Sequence, residues 1–72
     1  MIKVNNREYE WQESQTFHGI REMLIQKEEL KAILEGNYML MINGRYVSPG
    51  ERDQAIIADN DTLLLLPSAT GG

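Results

Sequence analysis

Near its start the chain alternates. Ile2 and Val4 are apolar beside polar Lys3 and Asn5, and Tyr9 and Trp11 are set among Glu8, Glu10 and Gln12. A period of two is that of a half-buried strand, and aromatic side chains favour a pleated surface. Asn5-Asn6 separates the two runs, and asparagine tolerates the positive φ of a tight turn. Residues 1–12 are therefore predicted to form a β-hairpin. The period then changes. Phe17, Ile20, Met23 and Leu24 fall on one helical stripe, and Leu30, Ile33 and Leu34 resume that spacing after Lys27, Glu28 and Glu29. Ser14 or Thr16 can cap the first end and Gly36-Asn37 the last. The spacing predicts helix over 16–35, either continuous or, as the polar interruption favours, broken near Gln26–Glu29.

Tyr38–Ile42 is a compact apolar run followed directly by Asn43-Gly44. That dipeptide is a strong hairpin signal, because both central positions of a type I′ turn need positive φ. Arg45-Tyr46-Val47 is the returning strand, and Ser48-Pro49-Gly50 is a turn. Glu51–Ile57 is open to a helical turn carrying Ala55 and Ile56. Asp59-Asn60-Asp61 marks another turn before Leu63–Leu66, which is apolar at every position. A strand apolar on both faces belongs in the middle of its sheet. Pro67 is predicted to end it. Ser68–Gly72 carries no apolar anchor, so 1–66 is expected to be the domain and 67–72 a mobile tail.

A hairpin, a helix, a second hairpin and a final apolar strand call for one sheet with a helix packed across one face. Pairing the first and last strands in parallel puts a hairpin on each flank. The expected class is thus α+β, a mixed sheet in the β-grasp arrangement of ubiquitin.

Composition narrows the chemistry. A chain of 72 residues is one small domain with little volume for a walled active site. It has no cysteine, so disulfides and thiol catalysis are excluded, and a cytoplasmic location is expected. Seven basic residues against 11 acidic give a net charge of −4, which disfavours nucleic acid and anionic membranes. A protein partner with a basic docking surface fits that charge better.

Three stretches together resemble the bacterial sulfur carriers of the ubiquitin-like superfamily. INGRYV (Ile42–Val47) is similar to that family's NG-x-x-V hairpin. ADNDTLLLL (Ala58–Leu66) is similar to its D-G-D entry into the last strand, with Asn60 where glycine is usual, and asparagine also accepts positive φ. SQTFHGIREML resembles its helix opening, and Gly71-Gly72 stands where the family carries a reactive diglycine. The resemblance implies a protein-borne sulfur donor rather than an enzyme, with no bound cofactor. An adenylyltransferase of the ubiquitin-activating type would use ATP to adenylate the carboxylate of Gly72. Sulfur from a donor of the cysteine-desulfurase type would then convert it to a thiocarboxylate. Thr70 and Gly71 would thread the partner's channel, where a residue without Cβ passes most easily. Extended, the six tail residues reach at most ~20 Å.

Within the resemblance two routes stay open. Length and the spacing from Asn43-Gly44 to the diglycine favour thiamine, with a thiazole synthase as recipient. Pro67, five residues before the final glycine, favours the small subunit of molybdopterin synthase and its large-subunit partner. A protein-modifying tag and a plain interaction module are further alternatives.

Other residues have plainer readings. His18 is a lone helical histidine, suited to a surface or capping role. Asp59 and Asp61 are turn formers, far short of a calcium loop. Glu28-Glu29 reads as a solvated face. If Leu64 and Leu66 face the helix, Leu63 and Leu65 point outward and form a docking patch with Met39 and Met41, since methionine suits adaptable surfaces. Alternation alone fits the opposite phase equally; the expected docking pair is Leu63 and Leu65.

Overall fold

A computed structural model describes residues 1–11 and 15–68. Its elements are β1 (Ile2–Val4), β2 (Arg7–Tyr9), α1 (Phe17–Leu24), α2 (Glu28–Glu35), β3 (Tyr38–Ile42), β4 (Arg45–Val47), α3 (Pro49–Arg52) and β5 (Thr62–Pro67). The five strands form one sheet in the order β2-β1-β5-β3-β4. β1 and β5 run parallel at its centre, Lys3 opposite Thr62 and Val4 opposite Leu63. β5 also pairs antiparallel with β3, from Ile42 opposite Leu63 to Tyr38 opposite Pro67. This is the β-grasp arrangement expected from the sequence.

The turns form where asparagine and glycine permit them. Asn5 and Asn6 have φ of 51° and 70°, and Asn43 and Gly44 of 51° and 80°. Both are the two-residue, positive-φ turns that match the twist of a hairpin. Asn60, with φ 71°, supplies the left-handed residue before β5.

The helical layer is two helices rather than one. Thr16 caps α1, its Oγ1 accepting from the Gly19 N–H at 3.3 Å. The end of α1 tightens through short-range bonds, Gln26 N–H to Met23 O and Lys27 N–H to Leu24 O. Lys27 is extended, and α2 begins after it. The break has a packing reason. In a continuous helix Leu30 would lie about 120° around the axis from Leu24. Breaking the helix returns Leu30 and Leu34 to the core beside Phe17, Ile20 and Leu24.

That core is closed by Ile2, Val4, Tyr9, Tyr38, Leu40, Ile57, Leu63 and Leu65. The ambiguous segment Glu51–Ile57 gives only Glu51 and Arg52 to short helix α3, which takes Pro49 and Gly50 from the predicted turn, and the rest of it, Ala55 and Ile56 included, is not helical. Its Ala55 and Ile57 bond to Phe17 and Gln15 through the backbone, and the Trp11 indole N–H donates to Ile57 O at 2.8 Å. Arg52 holds the start of β3, donating to Tyr38 O at 2.9 Å with its guanidinium 4.0 Å from the centre of the Tyr38 ring.

Candidate functional site

The helices cover one face of the sheet and leave the other open. Strand alternation then sorts the leucines of β5. Leu63 and Leu65 are each 1% exposed, whereas Leu64 and Leu66 are each 38% exposed. The outward pair expected from the sequence is therefore corrected. Leu63 and Leu65 are core residues, because β5 is locked in phase with Val4 on one side and Leu40 on the other, and both of those point at the helices. A one-residue slip would bury the opposite set, so the register decides the outcome.

The open-face members of the patch come from three strands. Leu66 stands opposite Met39, and Leu64 opposite Met41. Met41 is in turn opposite Tyr46. Met39 is exposed, Met41 half-buried and Tyr46 strongly exposed. Met39 and Met41 thus do lie on the open face, with Leu64 and Leu66 in the places foreseen for Leu63 and Leu65. Towards the other end of the sheet that face turns polar, with Lys3 between Glu8 and Thr62. The apolar part is gathered at the end where β5 leaves the sheet.

β5 is gripped at two points by asparagines of the flanking turns. Near its start, Asn43 Oδ1 accepts from the Thr62 N–H at 2.9 Å, and Asn43 Nδ2 donates to Asp61 at 2.9 Å. The second Asp61 oxygen accepts from the Ala58 N–H, so this aspartate is a turn clamp. Further along, Asn5 Oδ1 accepts from the Leu65 N–H at 2.8 Å, while Asn5 Nδ2 donates to Leu65 O at 3.1 Å. Sequence reading placed both asparagines in turns and missed this second use. The only signal for it was asparagine as the first residue of each turn.

β5 ends one residue later than expected. Pro67 still pairs with Tyr38, and the Ser68 N–H donates to Asn37 O at 2.9 Å. Proline fits there for a local reason. Leu63 and Leu65 turn their backbone groups towards β1 and Asn5, so Pro67, in the same phase, faces the side where β1 has already ended. No donor is needed on that side.

Thr70, Gly71 and Gly72, the expected threading and attachment residues, lie outside the described residues, as does most of the expected tail. His18 is exposed on α1, its backbone N–H donating to Asp53 O. Glu28 and Glu29 occupy the first turn of α2, where negative charge suits the helix dipole. Glu29 also accepts from the Tyr9 hydroxyl at 2.8 Å. Burial, then that hydrogen bond, pushes the Tyr9 pKa up; a hydrogen bond from its own backbone N–H, then Tyr9, pulls that of Glu29 down. Among the described residues no helix is long and apolar enough to cross a membrane.

A β-grasp domain whose central last strand shows an apolar face and leads in sequence to a diglycine has the architecture of the ubiquitin-like superfamily. Residues 2–72 match the ThiS family, and the chain belongs to that family of ubiquitin-like sulfur carriers. Among solved structures it resembles the thiamine biosynthesis protein ThiS from Geobacter metallireducens at 18% identity and a TM-score of 0.68, over 99% of this chain and 97% of that one. At that identity the likeness speaks for the fold. No curated protein matches the chain.

Proposed function

We propose that this protein carries sulfur for the thiazole of thiamine, with the α-carboxylate of Gly72 as the carrying group. The observation that supports this most is the continuity of β5. One strand offers Leu64 and Leu66 as a docking surface and runs directly into the segment holding Gly71-Gly72. A partner seated on the patch is therefore beside the root of the tail. A carboxylate is a poor electrophile and needs a good leaving group before sulfur can replace an oxygen. Activation is the work of an adenylyltransferase. The Gly72 carboxylate attacks the α-phosphorus of ATP and expels pyrophosphate. A persulfide on a cysteine-desulfurase-type donor then attacks the acyl carbon, AMP leaves with one of the original oxygens, and a thiol reductant cleaves the S–S bond of the resulting acyl disulfide to free the thiocarboxylate. The resulting thiocarboxylate passes to a thiazole synthase.

Family membership and the thiamine relative favour this route over molybdopterin synthase. Pro67, the feature that spoke for the alternative, has a local explanation in the sheet. The exposed apolar face is also small, centred on Leu64, Leu66, Met39, Met41 and Tyr46, and lasting subunit interfaces are larger and more apolar. The test is intact mass after incubation with ATP, the adenylyltransferase and the sulfur donor. Wild type should gain the mass difference between sulfur and oxygen, and a chain lacking Gly72 should not. Isopeptide conjugates to lysines instead would favour a modifier. Restoration of growth without thiamine, in a strain lacking its own carrier, tests the pathway; rescue of molybdenum-enzyme activity alone would overturn it.

A further inference from the structure

We propose that Asn5 is a positioning residue for the tail, its side-chain amide setting where β5 leaves the sheet. This rests on the carrier reading above and adds a residue that the motifs do not mark. β1 pairs with β5 only as far as Val4 opposite Leu63, with one further backbone bond from the Asn5 N–H to Leu63 O. The backbone then turns away through Asn5 and Asn6, both at positive φ. The next ladder position beside Leu65 would be empty. The Asn5 amide fills it, accepting from the Leu65 N–H and donating to Leu65 O as a neighbouring peptide would. A side-chain amide is the one group that offers both arms of a peptide from a turn.

The consequence falls on the residues that matter for docking. Leu65 stands opposite Leu40 of β3 on one side, and on the other both of its backbone groups are taken up by Asn5. Beyond it, Leu66, Pro67 and Ser68 are held on the β3 side. Asn5 therefore fixes the last doubly supported residue between the exposed Leu64 and Leu66. Without its amide, the end of β5 would fray from one side. A partner would then have to order both the patch and the tail root, and ordering is subtracted from affinity.

The test compares Asn5→Gly with Asn43→Gly in the full chain. Glycine keeps each positive-φ turn and removes only the side-chain clamp. Asn43 grips the opposite end of β5, so its variant reports the general effect of losing such a clamp. Two readouts are needed: amide hydrogen exchange at Leu65, and the carrier's KM and kcat in ATP–pyrophosphate exchange by the adenylyltransferase. In Asn5→Gly, Leu65 exchange should be at least ~10-fold faster, and in Asn43→Gly close to wild type. KM should rise about 5–10-fold in Asn5→Gly with kcat within about twofold, and KM should stay within about twofold in Asn43→Gly. Unchanged Leu65 exchange, an unchanged KM despite faster exchange, or an equal KM rise in both variants would each overturn the role of Asn5. Absence of exchange with the wild-type chain would overturn the carrier reading itself.

Discussion

Leu63 and Leu65 differ from Leu64 and Leu66 in nothing but phase. All four are the same residue on one strand, yet one pair is sealed under the helices and the other faces outward. The inner pair touches the core that holds the domain together. The outer pair makes the surface at the root of the tail. The contrast separates two situations that hydrophobicity alone merges: an apolar residue stabilises the fold when its neighbours surround it, and stays available for contact when they do not.

The sharpest way to break that contrast is Leu65→Ala beside Leu64→Ala. The inner change leaves a cavity and should lower unfolding free energy by about 2–5 kcal/mol in a urea titration. The outer change should lower it by less than about 1 kcal/mol. Equal losses would mean that the two faces are not distinct. Next comes Leu66→Glu, which puts a charge on the outer face. Its stability should stay within about 0.5 kcal/mol of wild type, while KM for the adenylyltransferase rises about tenfold or more. An unchanged KM would remove the outer face from docking.

Smaller effects sharpen the frame around both faces. Gly44→Ala forces a Cβ onto a residue at φ 80°, with open space around it, so backbone strain alone should lower stability by about 1–2 kcal/mol. The patch stays intact, and KM should not move. The last effect titrates. The raised pKa of Tyr9 means that its contribution is complete below the ordinary tyrosine value of 10.0 and is lost as pH rises through the raised one. The lowered pKa of Glu29 means that its contribution is present above the ordinary value of 4.5 and is lost as pH falls through the lowered one. Tyr9→Phe should therefore flatten the alkaline limb of thermal stability against pH and shrink the acid limb. An unchanged alkaline limb would place the titration elsewhere.

What was legible in the sequence follows from these forces. The turns at Asn5-Asn6, Asn43-Gly44 and Asn60 could be read because few residues accept positive φ. The central place of β5 could be read because Leu63–Leu66 is apolar without interruption. That same uniformity hid which pair faces inward: four identical side chains carry no phase, and the answer came from pairing with Val4 and Leu40. The helix break was visible as lost periodicity around Lys27, but its purpose, returning Leu30 to the core, needed the packed structure. The grip of Asn5 on Leu65 spans 60 positions in the chain, and a local pattern holds no trace of it. The same holds for Arg52 over Tyr38, because the segment carrying Arg52 had no firm periodicity of its own.

The parallel pairing of β1 with β5 has a consequence in time. The sheet's centre joins the strand made first to the strand made last, so the whole loop between them must close before that pairing forms. Closing long loops is slow, and folds rich in distant contacts fold more slowly than helical bundles of similar size. During synthesis, α1, α2 and the β3–β4 hairpin emerge while the space between β1 and β3 is still vacant. A chain halted before β5 would lack both the central strand and the surface that β5 completes. Completion of the sheet and completion of its open face are then one event.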